Sequence, residues 1–307
     1  MITIEGLTKK FADFTALNDV SCTIPEGCIY GMVGSNGAGK STFLRLLTGV
    51  YRPDSGSITI DGVEVFNNPD IKNQIAFVPD DLYFLQSANM NRMAKMYASA
   101  YEGFDMEYFN KLTELFKLDA KKSINTFSKG MKRQAATILA LSTHPKYLFF
   151  DETFDGLDPV MRNLVKSIIC NEVIENNSTA IITSHSLREL EDLCDQLALL
   201  HKGGLVLESD TENLKTSLFK IQIAFREEYS ADRFKDLNIL HFSKLGSIAK
   251  LIFKGDRQET VEYLNSMKPV VLDILPLTLE EIFTYEMEAL GYNFESIMEG
   301  SRNEKDI

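Results

Sequence analysis

Eight consecutive residues near the amino end have the types and spacing needed to bind phosphate groups. They are Gly34, Ser35, Asn36, Gly37, Ala38, Gly39, Lys40 and Ser41, and they fit G-x-x-x-x-G-K-[ST] at every position. Glycines let the backbone curl so that several N–H groups point at one anion. The lysine ammonium can then reach the β- and γ-phosphates of a nucleoside triphosphate, while the Ser41 hydroxyl can bind Mg²⁺.

The residues on either side of this segment support nucleotide binding. Residues 28–34 read as a buried strand, and residues 41–47 as a helix with an apolar face. The positive end of that helix, where Thr42 lies, adds to the attraction for phosphate. A flexible glycine-serine loop is the alternative interpretation, and the strand-loop-helix context disfavours it.

A pair of carboxylates follows a second buried strand. Residues 147–150 are apolar, and Asp151 and Glu152 come directly after them. We expect Asp151 to help hold Mg²⁺ through its water shell, and Glu152 to orient and deprotonate an attacking water. A strand followed by an acidic helix cap explains the pair equally well in isolation. Beside the phosphate-binding segment, the hydrolytic interpretation is favoured.

Three further motifs occur around this strand. Ser128 and Gly130 stand at the start of a predicted helix, where hydroxyl, N–H groups and helix dipole can accept a phosphate oxygen. Residues 155–158 read as a turn, and His185 ends an apolar strand where it can sense a γ-phosphate. A helix cap and a structural histidine are the ordinary interpretations of each alone. The order of all these motifs along the chain indicates a nucleoside triphosphatase.

Composition excludes several other classes. The formal net charge of −12 over 307 residues argues against a nucleic-acid-binding protein. The four cysteines form no C-x-x-C pair, as is typical of reduced thiols. No segment approaches the ~20 apolar residues that span a bilayer, and residues 1–6 do not resemble a signal peptide. We therefore expect a cytoplasmic protein that acts on a membrane through a partner.

The hydrophobic pattern predicts an α/β domain over residues 1–210 and a second domain over residues 211–307. The first contains a helical insertion at about 81–145, with helices at 97–118 and 129–141. Its clearest strands are residues 57–60, 75–78, 147–150, 180–183 and 196–200. In the second we expect strands at 220–225, 249–253 and 270–274, a helix at 258–267, a helix capped by Thr278, and a frayed polar end at 295–307.

The motif order resembles that of the ATP-binding-cassette (ABC) ATPases over residues 1–210. The resemblance implies a P-loop NTPase fold: a RecA-like core with an antiparallel β subdomain and a helical insertion, followed here by a small C-terminal α+β domain. In this family two cassettes enclose two ATP molecules head to tail. The resemblance therefore implies that Ser128 and Gly130 contact the ATP of a partner, either a second copy of this chain or a related cassette.

The resemblance also assigns two further positions. Phe11 falls where the family places an aromatic ring against adenine, although an ordinary core phenylalanine is an alternative. Asp80 stands where a glutamine is usual, and its carboxylate can still bind Mg²⁺ or the waters around it. Residues 82–85 lie where the family docks a helix of its membrane subunit, with the core of the helical insertion as the alternative.

The signature around Ser128 departs from the usual Leu-Ser-Gly-Gly-Gln at Phe127, Lys129 and Met131. It is similar to the Ser-Lys-Gly-Met of drug and peptide exporters, such as the bacitracin-type and phenol-soluble-modulin types. Because the groups that do chemistry remain, the resemblance implies an active ATPase that powers a separate transmembrane permease from the inner face of the membrane. A peptide, antibiotic or toxin is the expected cargo. A regulatory or interaction ATPase outside transport is the alternative.

Overall fold

The computed structural model describes residues 1–289 and Gly291. Within it the chain divides into two compact units, the first comprising Met1–Glu208 and the second beginning at Ser209. The predicted frayed end at 295–307 lies outside the described residues.

The strands of the described residues are, in chain order, β1 (Ile2–Phe11), β2 (Phe14–Ile24), β3 (Ile29–Val33), β4 (Ser55–Ile60), β5 (Val63–Glu64), β6 (Ile75–Val78), β7 (Tyr147–Asp151), β8 (Thr179–Ser184), β9 (Gln196–His201), β10 (Gly204–Asp210), β11 (Leu218–Ala224), β12 (Ile239–Leu245), β13 (Ile248–Lys254) and β14 (Val271–Leu275). The helices are α1 (Lys40–Leu47), α2 (Pro69–Lys72), α3 (Met90–Ala100), α4 (Met106–Leu115), α5 (Lys129–Leu141), α6 (Pro159–Asn176), α7 (Leu187–Leu190), α8 (Thr211–Ser217), α9 (Arg257–Ser266) and α10 (Leu279–Ala289).

Two sheets build the first unit. The larger has the strand order β10-β9-β3-β8-β7-β6, and β3 pairs in parallel with β8 and β9, as β7 does with β6 and β8. Every residue of β3, β7 and β8 is buried, as expected of a parallel sheet covered on both faces. The smaller sheet, β2-β1-β4-β5, is antiparallel across its measured pairs. Buried side chains of both sheets and of α1 form one core.

The parallel register brings three chain segments to one edge. Val33 pairs with Ser184 at the ends of β3 and β8, and Asp151 pairs with Thr183 at the ends of β7 and β8. The carboxyl ends of these strands therefore meet, and the loop after β3 faces the residues that follow β7 and β8. This edge is where ligands bind in open α/β sheets.

The helical insertion differs from the sequence prediction in one respect. The single helix predicted over 97–118 is wrong, because α3 ends at its cap Tyr101 and α4 begins after Asp105. The side chain of Asp105 accepts a hydrogen bond from Tyr108 N (2.9 Å), which starts a new helix three residues after Gly103. The helix predicted over 129–141 is confirmed as α5.

The second unit is an antiparallel sheet of order β12-β13-β11-β14 with α9 and α10. Strand β12, which was not predicted from the sequence, lies at the edge of this sheet and has no fully buried residue. A strand of this kind shows only a weak hydrophobic pattern in its sequence. The predicted cap of the last helix is confirmed: Thr278 Oγ1 accepts from Glu281 N (3.2 Å), and Glu281 Oε2 accepts from Thr278 N (3.0 Å).

Candidate active site

The loop of residues 34–41 joins β3 to α1 and owes its shape to glycine. A Cβ atom on Gly34 would lie 2.4 Å from the carbonyl oxygen of Leu200, and one on Gly39 would lie 2.6 Å from that of Ala16. Gly39, the cap of α1, also has a φ of 109°, in the left-handed region. Backbone packing and dihedral angle therefore both require glycine, and they leave a cradle of N–H groups at the start of α1.

The Lys40 ammonium is buried inside this curl. Its Nζ donates to the carbonyl oxygens of Gly34 (2.6 Å) and Ser35 (3.1 Å), and lies 3.2 Å from Oε1 of Glu152. The side chain is 5% exposed. A cation is thus held between the phosphate-binding loop and the carboxylate that follows β7.

Asp151 ends β7 as a fully buried carboxylate with one satisfied oxygen. Its Oδ1 accepts a hydrogen bond from Thr183 Oγ1 (2.7 Å), whereas its Oδ2 has no hydrogen-bond partner within the described part of the chain. A buried carboxylate oxygen without a partner is costly, and a hard divalent cation is a ligand that satisfies it. The site therefore fits Mg²⁺, which would be held by Asp151 and Ser41 and would neutralise charge on phosphate oxygens.

Glu152 is held by donors on both sides of its carboxylate. Oε2 lies 2.9 Å from Nδ1 of His185 and accepts from the His185 backbone N (3.3 Å), while Oε1 faces Lys40. Its backbone has a φ of 49°, and its N–H donates to the carbonyl and hydroxyl oxygens of Thr183 (both 3.2 Å). A left-handed non-glycine residue fixed in this way is typical of a functional site. The carboxylate is placed to accept a proton.

These groups border a cleft of about 250 Å³. Its lining consists of Phe14, Ala16, Asn36, Gly37, Gly39, Lys40, Ser41, Thr42, Asp80 and Glu152. Half of the sixteen predicted site residues therefore line this cleft. Gly34, Ser35 and Ala38 are buried residues of the same loop, and Asp151 lies fully buried at the end of β7.

The aromatic ring at this cleft is Phe14, which the sequence analysis did not single out. Phe11, the predicted adenine contact, packs edge-on against Tyr51 at 5.3 Å between ring centroids and is absent from the cleft lining given above. The two phenylalanines face each other across the β1–β2 turn, and Phe14 is 62% exposed. Two similar rings so close in sequence give no local signal that tells them apart.

Ser128 and Gly130 lie at the start of α5 and do not line the cleft described above. Ser128 Oγ accepts from Met131 N (3.2 Å) as the cap of the helix. A Cβ on Gly130 would lie 2.5 Å from the carbonyl oxygen of Gly156, so packing within this chain alone requires glycine there. Contact of these two residues with a partner's nucleotide stays a prediction.

Besides the packing of Gly130, Lys129 of the signature segment also connects α5 to the loop after β7. Lys129 Nζ donates to Oδ2 of Asp155 at 2.5 Å. This hydrogen bond holds the pKa of the Asp155 carboxyl below its ordinary value. The signature and the turn at 155–158 are thus joined by a charge pair as well as by the packing of Gly130.

The sequence analysis also missed Arg133, a fully buried residue of α5. Its Nη2 donates to Asp80 Oδ1 (2.6 Å), and its Nη1 donates to the backbone carbonyl oxygens of Asp151 (3.0 Å) and Glu152. One oxygen of Asp80 is therefore committed to this pair, and Mg²⁺ binding by Asp80 stays a prediction. The sequence signal was an arginine on the face of a helix that the structure buries.

Among the described residues, no helix is both long enough and apolar enough to cross a bilayer.

Comparison with known proteins identifies the family. Residues 17–155 match the family model described as ABC transporter. The ABC transporter ATP-binding protein YtrB of Bacillus subtilis (strain 168) is 32% identical over 92% of this chain and 97% of its own length. The bacitracin transport ATP-binding protein BcrA of Bacillus licheniformis is 31% identical over 70% of this chain and 71% of its own.

The fold matches as well. A solved structure of an ATP-binding subunit of an ABC transporter superposes with a TM-score of 0.64 at 24% identity, covering 70% of this chain and 92% of that one. The P-loop NTPase fold class predicted from the motifs is confirmed. The chain belongs to the ATP-binding subunits of ABC transporters, and it is an ATPase of the kind that powers transport through a separate membrane subunit.

Proposed function

We propose that this chain hydrolyses MgATP at a site completed by a second copy of itself, and that the hydrolysis drives export of peptide antibiotics or toxins through a membrane-embedded permease. The observation that carries the proposal is the Glu152 carboxylate, held between Lys40 and His185. A base and a cation beside a phosphate-binding loop, with a buried carboxylate at the end of β7 that can hold Mg²⁺, are the parts that phosphoryl transfer needs.

Each side chain has a separate task in this chemistry. Lys40 and the N–H groups of residues 34–41 bind the phosphate oxygens and stabilise the charge that develops there. Glu152 accepts a proton from the water whose oxygen attacks the γ-phosphorus, as the bond to the β–γ bridging oxygen breaks to leave ADP and phosphate. His185 donates to Glu152 through its backbone N–H and so fixes the direction of the carboxylate.

The position of Ser128 supports completion of the site by a partner. Ser128 is exposed at the start of a 13-residue helix, outside the cleft lined by Lys40 and Glu152. A hydroxyl at a helix amino terminus is a ready anion site. Placed against the loop of a second copy, it binds the phosphate that the loop presents, and two such sites form by symmetry.

The segment at 82–85 supports attachment to a permease. Tyr83 is 83% exposed and Leu85 is 39% exposed, whereas Phe84 between them is buried. Phe84 thus anchors the segment while its neighbours present apolar surface to a partner. Attachment there would hold the protein at the inner face of the membrane. The similarity to BcrA and the Ser-Lys-Gly-Met signature support a peptide antibiotic as cargo.

The dimer is tested with the Glu152→Gln variant in gel filtration. The amide keeps the shape of the side chain but cannot accept the proton, so the variant should bind MgATP, stop turnover and elute as a dimer. ADP in place of ATP is the control and should give the monomer. A monomeric Glu152→Gln protein at saturating MgATP would contradict the proposal, and wild-type protein without turnover would favour a regulatory nucleotide-binding module.

A further inference from the structure

Arg133 is a fully buried cation that joins three separate segments. From α5 it donates to the Asp80 carboxylate (2.6 Å) and carbonyl oxygen (3.4 Å), in the loop after β6. It also donates to the carbonyl oxygens of Asp151 (3.0 Å) and Glu152 at the end of β7. A guanidinium at 0% exposure is tolerated only when it is paired and hydrogen-bonded. The three segments are therefore held in fixed positions around the Arg133 side chain.

The contacts of Arg133 complete the restraint on the backbone of Glu152. The N–H of Glu152 is bound by Thr183, and its carbonyl oxygen is bound by Arg133. The same carbonyl oxygen also accepts from Asp155 N (3.1 Å), so Arg133 adds a contact from outside the loop to a residue with left-handed φ. This backbone conformation sets the direction of the Glu152 Cα–Cβ bond, while Lys40 and His185 bind the carboxylate itself.

Asp80, unlike its buried partner Arg133, is exposed at the cleft. Its side chain is 49% exposed and lines the cleft, yet its Oδ1 is bound to the buried guanidinium. A planar guanidinium with several fixed donors can bind a carboxylate on one side and carbonyl oxygens on another. A charge change at Asp80 is thereby transmitted to the peptide of Glu152 through one rigid group.

We propose that Asp80 and Arg133 are a positioning pair that holds the catalytic Glu152, and that Asp80 acts through Arg133 rather than as a ligand of Mg²⁺. Because Asp80 precedes residues 82–85, the pair also connects the exposed apolar segment to the base. This inference rests on the proposed role of Glu152 as the base.

The test is Asp80→Asn in the full-length chain, with Asp81→Asn as the matched control. Asp81 is the adjacent exposed carboxylate and lies outside the lining of the cleft. For Asp80→Asn we expect kcat to fall about 10- to 100-fold, since misplacing a reacting group by about 1 Å costs up to that much. The Kd of a fluorescent ATP analogue with Mg²⁺ should change by less than about twofold, because the phosphate loop is untouched. Asp81→Asn should keep wild-type kcat.

A second variant tests the same pair from α5. Arg133→Lys keeps the charge and loses the planar fork, so it should lower kcat with little change in Kd. Circular dichroism confirms that each variant is folded. Asp80→Glu keeps the charge, so its kcat should lie between that of Asp80→Asn and that of the wild type.

Other outcomes would overturn the inference. An unchanged kcat in Asp80→Asn would overturn it. Recovery of the activity of Asp80→Asn at a higher Mg²⁺ concentration would also overturn it, because Asp80 would then be a metal ligand. Glu152→Gln separates this inference from the proposed function. If Glu152→Gln abolishes turnover and Asp80→Asn does not lower it, only the positioning pair is wrong. If Glu152→Gln retains turnover, the assignment of the base itself fails.

Discussion

Replacement of Thr183 by valine removes a hydroxyl that makes hydrogen bonds to both Asp151 and Glu152. The Thr183 hydroxyl is fully buried and donates to Asp151 Oδ1 at 2.7 Å. Valine has nearly the same volume but cannot donate, which leaves both oxygens of the Asp151 carboxylate without a partner inside the described part of the chain. Glu152 N loses the hydroxyl but keeps the carbonyl oxygen of Thr183.

The expected cost follows from these contacts. A hydrogen bond to a charged group contributes about 1.5–3 kcal/mol to the free energy of unfolding, and a buried acceptor left unpaired lies at the upper end of that range. We therefore expect Thr183→Val to lower the free energy of unfolding by about 2–3 kcal/mol. Binding of MgATP should weaken as well, because Asp151 is no longer oriented.

Thr137→Val is the matched control. Thr137 is 1% exposed in α5, and its Oγ1 has no hydrogen-bond partner in the described chain. Removing a buried hydroxyl that makes no hydrogen bond should be neutral, or should stabilise the protein by up to ~1 kcal/mol. The chain has no tryptophan, so urea unfolding is best followed by far-ultraviolet circular dichroism. Equal shifts of the unfolding midpoint for the two variants would show that the hydrogen bond from Thr183 to Asp151 does not stabilise the fold.

The remaining predictions concern glycines and thiols. Gly39→Ala should abolish ATP binding, since its Cβ would lie 2.6 Å from a backbone oxygen. Gly37→Ala, with φ 80° and no atom within 4 Å of the added Cβ, should weaken ATP binding only through backbone strain of about 1–2 kcal/mol. Equal affinities of the two variants in a nucleotide titration would contradict this expectation. Burial raises the pKa of the Cys22 thiol to about 12 and that of Cys28 to about 11, so neither should react with a disulfide reagent near pH 8, while the half-buried Cys170 reacts first. Unfolding lets these thiols ionise at their ordinary pKa of 9.0, so stability should fall as the pH rises above that value, and a flat stability profile between pH ~9 and ~11 would be inconsistent with the burial.

Local patterns predicted the parts of the site that lie within one strand-loop-helix unit. The glycines of residues 34–41 and the carboxylates Asp151 and Glu152 at the end of β7 are recognisable from their immediate sequence, because their types and spacing follow the strand that precedes them. The break between α3 and α4 was missed because Asp105 reads as a helix residue until its capping hydrogen bond is seen.

Contacts between segments distant in the chain were beyond such reasoning. Arg133 and Asp80 are separated by 53 positions, and Thr183 and Asp151 by 32. No periodicity relates these residues, and each pair forms only because the sheet order and the helical insertion bring them together. The identity of the aromatic ring at the cleft, Phe14, was hidden for a related reason, since it depends on which way the β1–β2 turn faces.

If each ATP site is built from two copies of this chain, a mixture of two inactive variants should regain ATPase activity. Glu152→Gln disables the half of the site that holds the base, and Ser128→Arg disables the half that a partner supplies. If the halves come from different copies, an equimolar mixture contains mixed dimers with one intact site, and about a quarter of the wild-type ATPase activity should return. A mixture of Glu152→Gln with His185→Ala, both altered in the same half, should remain inactive. Failure of the first mixture to recover activity, with mixed dimers present, would contradict the composite site.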